Sequence, residues 1–544
     1  MNLRPLALTI LCLFALPLFA GADLSVLSPF LYVNADPGAP FSYHFDYVNQ
    51  SGEPAVQVEV TVDLPVGSRF LRGSSGCAAT GTRVVCAAGD LPGFDRASVN
   101  VELVTPPWFG GDEVPLAYGV SHSGTDPQPG NDRFTTGLRL YQTFVVDSVA
   151  DDGAGSLRQA IASANAARCD IDHQCRITFR FAPREGMAWY TIRPLSPLPA
   201  LTANYTGING EIQTWLTGDT NPAGPEVELN GSLAGGGNGL LIDSEGEMVV
   251  RGLVINGWAE NGISFVRIAR DSIGFLALNA RLITHNYIGT DPTGSFAVPN
   301  GLRGIASSGG SGQIANNVIS GNGRSGIYFW GPSGSTWSHA DAAIVRNRIG
   351  VKAASDEPLP NGMAGIFLGP EAGGIDVTDN VIGYNLHFGV AVANVTENRI
   401  LRNRIFGHDI AAIDNGIDGS NPVAPDPYFP VPVPVLTSAR YDPVAGVTFV
   451  EGHPFVPPQL GYTIELFSSA LGHADADQYL GTSQHTHDGS FFSMYVQGDF
   501  RGKAITATLT RTRSYGWLRG PRTNEMWQGL ESHTSELSAP IEVK

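Results

Sequence analysis

Lysine is almost missing from this 544-residue chain: Lys352, Lys503 and Lys544 are its only three. Charged residues of all kinds make up 15%, and the formal net charge is −18. Such a surface offers no basic footprint for phosphates, so no nucleic-acid partner is expected. It also argues against broad attraction to anionic polysaccharide, which only a local arginine patch would override. Long helical periodicity is scarce, which points away from helical classes. Beyond the N-terminus no apolar run is long enough to span a bilayer, so no transmembrane span is expected in the mature chain.

Turn formers, by contrast, are plentiful. The chain has 66 Gly and 37 Pro, a balance that predicts an all-β protein with many turns. Its length predicts two to four domains. Arg4, the apolar run Leu6 to Phe19 and the small residues Ala20-Gly21-Ala22 read as a secretory signal peptide over residues 1–22. The run is shorter than the roughly 20 residues a spanning helix needs. Cys12 lies inside it, which argues against lipoprotein cleavage. The mature chain is therefore expected to be secreted or held at the cell surface. Its four remaining cysteines form two close pairs in sequence, Cys77 with Cys86 and Cys169 with Cys175. In an exported chain these predict two local disulfides. No His or Cys cluster accompanies them at zinc spacing, so no metal site is assigned.

Residues 23–141 carry period-2 patterns, as in Tyr43 to Val48 and Val56 to Val62, bounded by Gly, Pro and Asn. The start Ala22 to Val26, the pattern Asp63-Leu64-Pro65-Val66-Gly67, the pair Cys77…Cys86 and Asn131-Asp132 resemble the Ig-like conserved-repeat domains of bacterial surface proteins. The resemblance implies a β-sandwich spacer with a structural role. Next, Thr143 to Ser148 reads as a strand. Ser156 is placed to cap a short helix on which Leu157, Ile161 and Ala164 share a face. Ser156-Leu157-Arg158-Gln159-Ala160 resembles the SLR(E/Q)A entry motif of exported bacterial parallel β-helices, with Gly155 where many members carry Cys. The resemblance implies a helix that closes the open end of a solenoid. Asp151 and Asp152 read as turn residues.

The chain then repeats. Val254-Ile255…Gly262-Ile263 recurs as Val318-Ile319…Gly326-Ile327 and Val381-Ile382…Gly389-Val390. A second phrase, Asn286-Tyr287-Ile288-Gly289…Asn300-Gly301…Gly304-Ile305, recurs from Asn347 to Ile366. One turn of about 22 residues explains both, if alternate turns carry an extra loop, 289–301 or 349–362. Such β-rich units predict a right-handed parallel β-helix over 142–421. Asn286, Asn317, Asn347, Asn380 and Asn403 share one position in successive turns. They predict an Asn ladder at a corner, where Asn tolerates left-handed backbone and bonds along the stack. A Pro-rich linker, 422–434, precedes a third region, 435–544. Its ending, Thr534 to Pro540, resembles the closing strand of the small β-sandwiches that follow such β-helices, implying an Ig-like module that acts as a cap or binds carbohydrate.

Chemistry is harder to locate. A glycosidase needs two carboxylates about the scissile bond, and Gly407-His408-Asp409 with Asp376, Asp379, Asp414 and Asp418 is a poor match to polygalacturonase-like β-helices. A polysaccharide lyase needs a base and a cation. Arg324, Tyr384, His387 and His408 are its candidates, with Glu260, Arg324 and His387 in one column of the repeat. No acidic calcium ligands accompany them; calcium belongs only to the lyase reading, and otherwise no cofactor is expected. Trp258, Trp330 and Trp337 are candidate sugar-stacking platforms beside ridges formed by the two extra loops. The sequence therefore predicts a β-helix flanked by two β-sandwiches that binds an extracellular polysaccharide or surface glycan, as in adhesion or matrix attachment. The alternative is a lyase or glycoside hydrolase.

Overall fold

The computed structural model describes residues 21–27, 32–106, 113–266, 281–309, 312–330, 339–370, 372–393, 398–416, 431–455, 461–485, 491–514, 518–519, 526–527 and 530–544. Nearly all of the expected signal peptide, Trp337, Asp418 and most of the Pro-rich linker lie outside them. The chain divides into two compact units, 1–143 and 144–544.

In the first unit, a four-stranded and a six-stranded sheet enclose a core of Phe45, Val60, Val62, Val101 and Tyr118. Tyr43, Phe45 and Tyr47 alternate inward as the period-2 pattern predicts. In the next strand the pattern slips. Ala55 is buried, Gln57 takes φ 55°, and the pairing register shifts between Ala55 and Val58. This bulge leaves Val56 45% exposed and turns Val58, Val60 and Val62 inward. Cys77 and Cys86 face each other across adjacent strands and are disulfide-bonded.

Three carboxylates meet at one edge of this unit. Asp23 accepts from Gln128 and Asn131, and Asp126 accepts from the Leu24 N–H. Burial pushes the neighbouring Asp132 up to about 6, and the charges of Asp126 and Asp23 push the same way. The folded unit therefore binds a proton that the unfolded chain releases near its ordinary value of 3.8. That contribution is present below 3.8 and is lost as pH rises through about 6. Asp132→Asn is expected to raise the unit's stability at pH 7 by about 1 kcal/mol, after discounting for partial solvent screening. It should also flatten the slope between pH 4 and pH 6, about the range set by those two values, in denaturant titrations of the full chain.

The second unit is built on a right-handed parallel β-helix with three faces. The first face runs from Gln142–Val146 through Cys175–Phe179 to Arg399–Leu401, the second from Tyr190–Ile192 to Arg404–Phe406, and the third from Leu240–Ile242 to Ala411–Asn415. From Cys175–Phe179 onward, successive strands on each face pair in parallel, so like positions stack one above another. Inside the second face stand Ile192, Leu229, Ile255, Ile288, Ile319, Ile349, Ile382 and Ile405, all essentially buried. Branched apolar residues stacked this way fill a dry column with little rotamer freedom to lose.

Helix Leu157–Ala166 covers the first turn. The Ser156 side chain accepts from the Gln159 N–H, and Leu157, Ala160, Ile161 and Ala164 join the core of Ile177 and Phe179. Asp151 pairs with Arg158 at 2.7 Å and serves as a turn residue. A disulfide ties Cys169 to Cys175, the first residue of the strand Cys175–Phe179.

The opposite end is closed by the C-terminal sandwich, and the last strand of every face receives a partner from it. On the first face, Ile400 N–H donates to Thr534 Oγ1 at 2.9 Å. On the second, Ile405 and Ala476 exchange backbone hydrogen bonds of 2.9 and 2.8 Å. On the third, Asn415 N–H donates to Glu536 Oε1 at 3.0 Å. Phe467, Ala476 and Leu537 enter the β-helix core itself. Of the two roles implied for this module, capping is the one seen in these contacts.

Two Asn ladders stitch the corners. At the first, between the first and second faces, Asn286, Asn317, Asn347 and Asn380 each donate Nδ2 to Oδ1 of the next Asn, the last being Asn403, at 2.9–3.1 Å. The left-handed backbone is not theirs, contrary to expectation. It belongs to the preceding residues His285, Asn316, Arg346, Asp379 and Arg402, with φ 54–57°. The chain bends one residue early, which frees the Asn side chain to point inward along the stack. The second ladder, at the corner between the second and third faces, runs from Asn300 through Asn322 and Asn361 to Asn385.

Candidate functional site

The second ladder decides the fate of two sequence candidates. Trp258 occupies its first position: its N–H donates to Asn300 Oδ1 and its indole N–H to the Leu229 carbonyl at 3.1 Å. At 1% exposure it is a core residue and offers no sugar platform. His408 occupies the last position, with its ring nitrogens 3.3 and 3.2 Å from the carbonyls of Asn385 and Ile382. Burial pushes its pKa down to about 4, against the pull of those two carbonyls. Set between backbone carbonyls, His408 closes the ladder where a base was expected. Asp409 beside it is exposed.

Backbone hydrogen bonds order Glu260, Leu302, Arg324, Met363, His387 and Ile410 into one column on successive turns. Glu260, Arg324 and His387 do share that column, but each is two turns from the next, roughly 10 Å at strand spacing. Tyr384 lies at the same corner with φ 56°, its ring edge-on to Phe406. Asp376 lies on the first face, Asp379 at the first corner and Asp414 on the third face. The structure thus brings none of these into a catalytic group. Among the described residues, no three His, Cys, Asp or Glu side chains are grouped to hold a metal ion. Trp330 stacks on Tyr328 at 5.4 Å, Tyr328 meets Phe367 at 5.2 Å, and Arg303 lies over the Tyr328 ring. These rings pack on one another outside the third face.

The two extra loops do form a ridge. Each is closed by an antiparallel bridge, Thr290–Ala297 and Val351–Pro358, and Ala353 N–H donates to the Gly294 carbonyl at 3.0 Å. Contact at Gly294 is so close that a Cβ there would lie 2.4 Å from that of Ala353. Asn221 continues the ridge by donating Nδ2 to the Pro292 carbonyl at 2.9 Å.

Between this ridge and the first corner lies a cleft of about 490 Å³. Its floor is the outward column of the second face, Tyr287, Val318 and Arg348. The Tyr287 hydroxyl donates to the Ala223 carbonyl at 2.7 Å, fixing the ring under the loop. Arg348 is held by the Ser355 carbonyl and by Asp356, whose carboxyl it keeps below the usual range. One end is acidic. Helix Glu211–Thr217 and the loop after it supply Glu211, Asp219 and Glu226. Burial raises Glu226, and the charge of Asp219 adds to this against a hydrogen bond from Thr214. Its Oε1 is buried without a hydrogen-bond partner. For Glu211, burial would also raise the pKa, but the His285 hydrogen bond at 2.9 Å and the charge of Arg251 outweigh it and hold the carboxyl below its ordinary value. Two carboxyls of one cleft are thereby driven in opposite directions.

Sequence reasoning missed this site because Glu211 and Glu226 stand outside the repeat. A signal was nevertheless present: between the strands Thr206–Asn209 and Val227–Asn230 this turn inserts 210–226, where the next turn needs only Gly252-Leu253 and later ones a corner residue and an Asn.

No family model matches the sequence, and no curated protein matches it. Among solved structures, the chain is similar to the catalytic unit of a GH87 α-1,3-glucanase from Streptomyces thermodiastaticus strain HF3-3, with 13% identity, 72% of this chain and 70% of that one covered, and a TM-score of 0.25. It is similar to the Agl-KA catalytic domain, with 14% identity, 68% of each chain covered and a TM-score of 0.27. It is also similar to tailspike protein gp49 of the Acinetobacter baumannii bacteriophage Fri1, a capsular polysaccharide depolymerase, with 9% identity, 79% and 90% covered and a TM-score of 0.26.

Proposed function

We propose that this chain is an exported β-helix protein that holds an extracellular saccharide in the cleft beside the second face. The carrying observation is the cleft itself: a polar-ended trough about 490 Å³ in volume, walled by stacked hairpin loops and floored by the fixed column of Tyr287, Val318 and Arg348. Loops set on a rigid solenoid are where such proteins place recognition. Two disulfides and an apolar N-terminal run support export.

Glu226 and Glu211 favour a second reading, glycoside hydrolysis in the same cleft. A carboxyl in its protonated form would give that proton to the bridging oxygen as the C–O bond breaks. A second, ionised carboxylate would take a proton from the water whose oxygen bonds to the anomeric carbon. Retention of the full chain on immobilised polysaccharides, with reducing ends followed in parallel, tests both readings. Retention without new reducing ends supports binding alone. New reducing ends that fall at least 100-fold in Glu226→Gln, with retention kept, support hydrolysis. Absence of retention and of release across a broad panel contradicts both.

A further inference from the structure

The first corner presents one exposed residue per turn, and its charged members are paired with one exception. His285 bonds Glu211 at 2.9 Å. Three turns on, Asp379 and Arg402 form a double hydrogen bond of 2.8 and 2.9 Å. Between them stands Arg346, exposed, lining the cleft, with no side-chain partner among the described residues. Its neighbour on the stack, Asp379, is already engaged by Arg402, and the floor residue Arg348 is engaged by Asp356. Arg346 also holds φ 54°, a conformation that costs a side-chain-bearing residue about 1 kcal/mol and that Gly252 meets freely at the equivalent corner. An unpaired guanidinium is thus kept at a strained position, at the end of the cleft away from Glu211, on a chain whose net charge is −18.

We infer that Arg346 recognises an anionic substituent on the saccharide, so that the ligand is an acidic glycan lying with its charged unit at the Arg346 end and a neutral unit at the Glu211 end. This rests on the cleft being a saccharide site. The chemistry is that of a planar donor fork meeting a carboxylate or a sulfate, either of which it can grip through two hydrogen bonds. The unpaired guanidinium gives the bound chain a direction, because at the other end Arg251 and His285 are already engaged by Glu211 and offer an anion no comparable grip.

Affinity of the full chain for a polyuronate, a sulfated glucan and a neutral glucan tests the inference, each measured with wild type, Arg346→Gly and Arg346→Lys. Glycine suits the left-handed corner, so the first variant keeps the fold. Binding to one or both charged polymers is expected, weakened about tenfold or more in Arg346→Gly, partly retained in Arg346→Lys and weakened by salt. Which polymer binds identifies the substituent. Binding of the neutral glucan alone, or charged-polymer binding unchanged in Arg346→Gly, would overturn the inference while leaving the saccharide reading intact. Failure of all three polymers to bind counts against the saccharide reading itself.

Discussion

Replacing Asn317 with alanine is expected to destabilise the β-helix by about 3–5 kcal/mol, among the largest single effects available in this chain. Asn317 is 1% exposed. Its Oδ1 accepts from both the backbone and the side chain of Asn286, and its Nδ2 donates to the Ile283 carbonyl at 2.9 Å. Truncation orphans donors above it and a carbonyl acceptor, all sealed from water, and each stranded group costs about 1–3 kcal/mol. The adjacent Asn316 is the control. It is exposed and carries the corner's positive φ of 55°. Asn316→Gly should therefore stay within about 1 kcal/mol of wild type. Equal losses at the two positions, in thermal melts or denaturant titrations, would contradict the assignment of ladder and bend to different residues.

Removing the C-terminal sandwich, residues 435–544, is expected to leave the β-helix aggregated or unfolded. The strands Arg399–Leu401, Arg404–Phe406 and Ala411–Asn415 would lose the groups from Ala476, Thr534 and Glu536 that meet their backbone. The core would lose Phe467, Ala476 and Leu537 from its open end. A solenoid end stripped in this way presents unpaired strand edges and bare apolar surface, a template for further pairing. Size-exclusion chromatography of the shortened chain should show high-mass species or none recovered. A monodisperse, cooperatively melting product would show that the sandwich is an appended module and not an end cap.

Much of the architecture was legible because stacking imposes a repeat on the sequence. The spacing of Ile255, Ile319 and Ile382 and the recurring Asn residues follow directly from like residues lying above one another. The same arithmetic, carried one turn further, would have placed His408 23 residues beyond Asn385, at the end of the second ladder. Read instead as part of Gly407-His408-Asp409, it suggested catalysis. Trp258 misled for a related reason: a tryptophan in a Gly-rich corner looks exposed until register shows that it stands above Asn300. The bulge at Gln57 was invisible because a period-2 pattern still reads as regular when one residue is inserted. The cleft was the least legible feature. Its walls come from turns far apart in sequence, and its carboxylates sit in a corner segment, 210–226, that abandons the repeat.

Hydrogen exchange of the full chain, with and without a retained saccharide, tests the central claim most directly. Occupation of the cleft should slow exchange in 211–226, 285–287 and 346–353, the segments that form its walls and floor. It should leave 327–330 and 366–368, around Tyr328, Trp330 and Phe367, unchanged. Protection confined to that third-face aromatic cluster, with none in the cleft, would contradict the account and move the site to the opposite flank.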